Sequence, residues 1–326
     1  MSEFKPKSFI SEAGNAVASA SYCPKKLTLL HAGIASAASL IVALLTYLLG
    51  TGIGDTGGLS GIGFRSALET AQSMLEIGVS ILGPFWSLGF VAAALRLARR
   101  QQATPRTLLS GFRQWAPALR LLLLEGLIYL AVVLVAMQIG SFLYMMTPFS
   151  AQITALTEQL VASGTMDTEA LNQLIAQLDY DTLMSIFWSM LPFMAIPSVV
   201  VIIPLSYRLR LAEFILMDAP QFGALYAILQ SFRLMKKNCL RLLRLDLQFW
   251  WFFILEVLVQ VLCYGDLILP LVGVELGMNG VLASFLFYAL ALVCQVGLYV
   301  WKKPQIITSY ALFYNHLLPR ENPEEM

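Results

Sequence analysis

The chain has 326 residues, 58% of them apolar and 13% charged, with a formal net charge of +1. An ordinary soluble domain is roughly 45–50% apolar and about 25% charged, so this chain has too little charge to cover a water-facing surface. The composition excludes a disordered chain, a collagen-like or disulfide scaffold and a nucleic-acid binder, and it predicts an all-α polytopic membrane protein.

Six stretches are long enough to cross a bilayer as helices, which takes roughly 20 apolar residues. They fall at 27–50, 74–97, 118–146, 183–206, 247–270 and 281–301, and together make residues 1–326 a single transmembrane domain. A polar stretch precedes the first span and no small-residue cleavage pattern follows it, so that span is expected to remain as an anchor. The glycine-rich TGIGDTGGLSGIG that follows lacks a phosphate-binding lysine and reads as a flexible connector. Pro84 in the second span and Pro192, Pro197 and Pro204 in the fourth each remove a helical hydrogen bond, so kinks are expected there. Between the third and fourth spans lies an acidic insert, 147–182, with no Lys or Arg. It reads as two short amphipathic helices, with Gly164 ending the first and Thr165 or Asp167 starting the second.

Of the 21 Lys and Arg residues, all but Arg65 fall in the N-terminal segment, the loop around Arg99 and Arg106, the loop 207–246 and the tail after Trp301. Basic loops stay on the cytoplasmic side, which places both termini in the cytoplasm and the acidic insert outside.

The basic segments repeat in order. LRLA at 95–98 is followed by LLSGFR ending at Arg113 and LRLLLLE ending at Glu125; LRLA at 209–212 is followed by ILQSFR ending at Arg233 and LRLLRLD ending at Asp246. This order predicts two parallel repeats, each an inbound span, a basic segment and an outbound span. The sixth span, its tail and the first span form a candidate third unit. Within 223–245, Arg233, Lys237, Arg241 and Arg244 recur at helical spacing, while Leu225, Ile228, Leu229, Phe232 and Met235 populate another side. Such helices lie in the membrane interface. Their cations either contact anionic lipid headgroups or only enforce topology.

Several segments resemble a known family. They are PFWSLGF at 84–90, LLSGFR at 108–113, IPS at 196–198, SYRLRLAEFILMDAP at 206–220, AILQSFRLMKKN at 227–238, LDLQFWW at 245–251 and the terminal KPQIITSYALFY. In order and spacing they are similar to the bacterial integral-membrane proteins grouped as domain of unknown function 975. The acidic insert and the extended fifth span depart from that family's shorter pattern. The resemblance implies a multi-pass protein of the bacterial inner membrane with no assigned biochemical activity.

Candidate chemistry is sparse. Cys23, Cys239, Cys263 and Cys294 show no C-x-x-C spacing, and His31 and His316 lie near no carboxylate or cysteine at ligand spacing, so neither a metal nor another cofactor is expected. No G-x-S-x-G, H-E-x-x-H or P-loop pattern is present, so no enzymatic activity is expected. Intramembrane carboxylates remain. An ionised group at helix centre costs roughly 2.5–3.5 kcal/mol on insertion scales, so it is normally paired, protonated or functional. Glu256 is placed near the middle of the fifth span, with Gln260 and Cys263 on its face. On the antiparallel sixth span Ser284, Tyr288, Ala291 and Gln295 share a face, so Gln295 is expected beside Glu256 and Tyr288 beside Gln260. Glu125 and Asp246 are equivalent in the repeat, with Arg96 or Arg210 available to neutralise them.

Two functions compete. One is a membrane scaffold or regulator in the cell envelope, organising anionic lipid or partner proteins through its interfacial helices. The other is a transporter of a small solute or lipid that uses the polar site near Glu256.

Overall fold

A computed structural model of the chain describes residues 5–20, 23–50, 59–151, 154, 180–265, 269 and 280–318. The described residues form helices and turns only, and six helices are long and apolar enough to cross a membrane, overlapping all six predicted spans. The protein is therefore an all-α, multi-pass membrane protein. Residues 51–58, the body of the acidic insert with its two expected helices, and Asp266 lie outside the described residues.

In chain order the helices are α1 (Pro6–Ala18), α2 (Pro24–Gly50), α3 (Leu59–Ala98), α4 (Pro105–Leu108), α5 (Ser110–Arg113), α6 (Trp115–Met145), α7 (Tyr180–Leu209), α8 (Ala212–Asp218), α9 (Gly223–Met235), α10 (Cys239–Asp246), α11 (Trp250–Leu262) and α12 (Gly280–Leu317). Proline opens α1, α2 and α4, where its missing N–H costs nothing. Thr104 and Thr107 close a capping box around the first turn of α4. Gly223 has φ +78, a left-handed conformation that favours glycine, and so turns the chain out of α8 into α9.

Two boundaries differ from the sequence reading. The last five residues of the glycine-rich run, Leu59–Gly63, are the first turn of α3. At the other end of the chain, α12 runs 16 residues past Trp301 without a break, through Pro304. The polar-looking tail is thus one helix with the sixth span.

Packing divides the chain into two units, Met1–Leu122 with Arg210–Met326, and Leu123–Leu209. In the first, the core lies at the ends of the spans that carry the basic segments. Phe85, Leu88 and Phe90–Leu95 of α3 are buried, whereas Met74, Ile77 and Ile81 earlier in the same helix are exposed. On α12, Ile306 and the unbroken run Thr308–Tyr314 are buried, whereas Leu286, Leu290 and Val293 are exposed. The buried end of α12 is enclosed because α1, α2, α3 and α11 all pack on α12. Exposed leucine, isoleucine and valine along the rest of the spans is what lipid contact requires, since there is no water there to avoid.

Helices α4 and α5 lie directly on α3. A Cβ on Gly89 would overlap the Leu108 carbonyl, and a Cβ on Gly111 would overlap the Phe85 carbonyl, so the two backbones meet through reciprocal glycines.

In the second unit α6 and α7 meet in the same way at Gly140, where a Cβ would overlap the Phe193 carbonyl. Pro197, four residues on, has no N–H to offer that carbonyl, and the close approach of Gly140 covers the acceptor it frees. Tyr144, fully buried, packs edge-on against Phe193 and shares a 3.1 Å hydrogen bond with Ser189 Oγ. With Pro192, Pro197 and Pro204 inside it, α7 remains helical from Tyr180 to Leu209.

The glycine contacts set a direct expectation. Gly89→Val should destabilise the detergent-solubilised protein by about 3 kcal/mol or more, because backbone opposes the new side chain and no rotamer relieves it. Gly126→Val, where no atom lies within 4 Å of the Cβ position, should leave the thermal midpoint nearly unchanged.

Candidate functional site

Glu256 is the single charged residue of α11, WWFFILEVLVQVL. Tyr299 Oη donates to Glu256 Oε1 at 2.6 Å, and Gln295 Nε2 donates to Tyr299 Oη at 3.1 Å. Lys303 Nζ stands 3.6 Å from the Tyr299 ring centroid, beside the same hydrogen bond. Gln295, Tyr299 and Lys303 are spaced i, i+4, i+8 and therefore form one stripe on α12, which faces α11. Phe252 stacks on the Tyr299 ring. Glu256 is thus a hydrogen-bonded carboxyl with a cation nearby, which is how such a group is tolerated in an apolar surround.

The sequence placed Gln295 beside Glu256, and the two are in fact joined through Tyr299, one turn along α12. Tyr288 and Gln260 share no hydrogen bond; Gln260 is exposed and Tyr288 half-buried. Trp251 and Trp301 meet with ring centroids 5.3 Å apart, and Glu256 lies five residues beyond Trp251 on α11, about 7.5 Å along the helix. Glu125 is half-buried on α6, in the Leu123–Leu209 unit.

A second polar cluster, absent from the sequence reading, ties together the end of α3, the end of α8 and the end of α12. Arg99 binds Asp218 through both guanidinium nitrogens, at 2.5 and 2.8 Å, and also reaches Asn315 Oδ1 at 3.2 Å. Tyr314 Oη donates to Asp218 Oδ2 at 3.1 Å, the oxygen that also accepts from one Arg99 nitrogen. The hydrogen bond to Asp218 holds the Arg99 guanidinium still further above its ordinary pKa. One turn back, Tyr310 Oη donates to the buried Asp246 at 2.6 Å and the Arg210 guanidinium lies 4.7 Å over the Tyr310 ring. Arg96 donates to Thr107 Oγ1 at 3.3 Å. The signal for this cluster is the pair of tyrosines four apart in SYALFYN, which present both hydroxyls on one face.

Of the four cations expected at the headgroups, Arg233, Lys237 and Arg244 are exposed, while Arg241 is half-buried and donates to Asn238 Oδ1 at 3.2 Å. The apolar side expected for this segment is divided. Ile228 and Met235 are buried in the protein with Ala224, Ala227 and Ser231, whereas Leu225 and Leu229 are exposed. One face of α9 is therefore core, and a different face is exposed. All four cysteines are free thiols. Two cavities, of about 570 and 370 Å³, lie along α1, and neither is lined by Glu256.

Replacing Tyr299 by Phe should destabilise the protein by about 1–3 kcal/mol, because it leaves the Glu256 carboxyl without its donor. Tyr288→Phe should change the thermal midpoint far less. The pair of midpoints, measured in one detergent, checks the assignment.

No curated protein and no solved structure matches the chain. A family model, described as protein of unknown function (DUF975), matches residues 30–321 and so covers most of the length. The chain belongs to that family of proteins of unknown function.

Proposed function

We propose that the protein is a non-enzymatic scaffold or regulator of the bacterial inner membrane, with both termini cytoplasmic, that gathers anionic lipid through the segment formed by α9 and α10. The carrying observation is that cations and exposed leucines occupy one continuous stretch. Arg233, Lys236, Lys237 and Arg244 are exposed beside Leu225, Leu229, Leu240 and Leu247, each more than half exposed. In water those leucines would be unfavourable; in the interface they enter the acyl boundary while the cations meet headgroups. The distribution of Lys and Arg supports the orientation.

Burial supports the internal repeat as well. Leu97 and Leu211, Leu108 and Ile228, Gly111 and Ser231, and Leu121 and Leu242 are corresponding positions of the two basic segments, and all eight are buried; Leu109 and Leu229 correspond, and both are exposed. Agreement of inward and outward positions between the two segments is what a repeat requires. The packing of α12 on α2 supports counting the sixth and first spans as a third unit.

A second reading, transport of a small solute or lipid, is favoured by the relay from Gln295 through Tyr299 to Glu256 beside Lys303. It requires that Glu256→Gln abolish a transport activity while the protein still inserts.

Anionic headgroups gain about 1 kcal/mol per nearby basic residue. The variant with Arg233, Lys237, Arg241 and Arg244 all replaced by Gln should therefore co-purify with several-fold less anionic phospholipid than wild type, at equal protein and equal zwitterionic lipid, by quantitative mass spectrometry. An unchanged anionic share would overturn the scaffold reading.

A further inference from the structure

A groove follows one face of the N-terminal helix. Lys7, Ser11, Gly14 and Ala18 recur every three to four residues of α1, on a single stripe, and line in succession the cavities of about 370 and 570 Å³. Gly14, Lys302 and Gln305 line both cavities, so the two compartments meet at the middle of α1. Trp251 walls the first compartment, Trp301 the second, and the start of α2 with Lys25 closes the far end. The groove is held open by fixed contacts. Gln305 Nε2 donates to the Ile10 carbonyl at 3.2 Å, and Phe9 packs edge-on against Phe313 and His316 on the opposite side of α1.

The lining is cationic. Lys7, Lys25 and Lys302 contribute to it and no carboxylate does. Lys302 donates to Gln305 Oε1 at 3.3 Å, and its ammonium lies 5.5 Å from the Trp301 ring and 5.8 Å from the Trp251 ring. An ammonium has three donors, so the hydrogen bond to Gln305 leaves capacity for an anion. The two tryptophans set the depth, because indole rings favour the headgroup level. Each compartment lies within the size range of small-molecule sites, with apolar wall from Val17, Ala18 and Pro304 in the larger.

We propose that this groove binds one anionic phospholipid, its headgroup phosphate held by Lys302 and Lys25 and its glycerol backbone laid against the Val17–Ala18 wall. The inference rests on the reading of the protein as one that gathers anionic lipid, and adds to it a single defined site along α1.

The test uses the full chain in a neutral detergent, titrated with dioctanoylphosphatidylglycerol and followed by native mass spectrometry. One saturable lipid is expected. Lys302→Gln and Lys25→Gln should each weaken it about fivefold, the effect of one basic residue near a headgroup. Lys302→Arg should restore binding, and Arg244→Gln should leave it unchanged. Dioctanoylphosphatidylcholine should bind more weakly, and inorganic phosphate at the same concentration should not displace the lipid. Wild-type affinity in both Gln variants would overturn the site, and so would displacement by phosphate alone, which would mark an adventitious anion contact. Lys25 is exposed, so its variant reads binding without a folding penalty. The groove is read as one saturable site and the α9–α10 surface as total co-purified lipid, so either reading can fail while the other stands.

Discussion

A helix buried on every side needs neighbours on every side, and the second half of α12 is where this protein meets that demand. From Thr308 to Tyr314 every residue is buried, with Ala311 and Phe313 fully enclosed. Small residues at 308, 309 and 311 let neighbouring backbones come close, and the aromatic residues between them fill the remaining space. The tyrosines bring polar tips into that packing, and each tip has a carboxylate waiting: Asp246 for Tyr310 and Asp218 for Tyr314. Arg99 then completes the Asp218 site from the end of α3. Asp246 and Asp218 of the basic segments are thus fastened to α12 by one buried and one half-buried tyrosine hydrogen bond, while the long apolar parts of the spans remain exposed.

That division explains what could be read from the sequence and what could not. Hydropathy reports contact with lipid, so the six spans were legible within a few residues at most ends. It is silent about protein-protein burial, so KPQIITSYALFY read as a tail although it holds the core. For the same reason the apolar residues of α9 could not be divided between protein and lipid. Ile228 and Met235 are as apolar as Leu225 and Leu229, and nothing in their identity tells which pair meets protein and which meets lipid. At Glu256 the expected face of α12 was right and the partner was one turn off. Matching by depth selected Gln295, whereas Tyr299 is longer, reaches the carboxyl directly and is in turn held by Gln295.

The same physics frames function. In a chain with 13% charge, the placement of each ionisable group carries information. Arg233, Lys236, Lys237 and Arg244 are exposed in and around α9 and α10, whereas Arg99 is spent on an internal tie to Asp218. Asp218, Asp246 and Glu256 each accept a hydrogen bond from a tyrosine of α12. The proposed gathering of anionic lipid rests on the exposed cations and leucines of α9 and α10.

The central claim is that stability resides in the packed end of α12 and not in its most apolar stretch. It is tested most directly by the thermal midpoints of Phe313→Ala and Leu290→Ala, two truncations on one helix. Phe313 is fully buried and Leu290 is half exposed, so the first should cost about 3–5 kcal/mol and the second much less. Equal midpoints, or a larger loss at Leu290, would contradict the account.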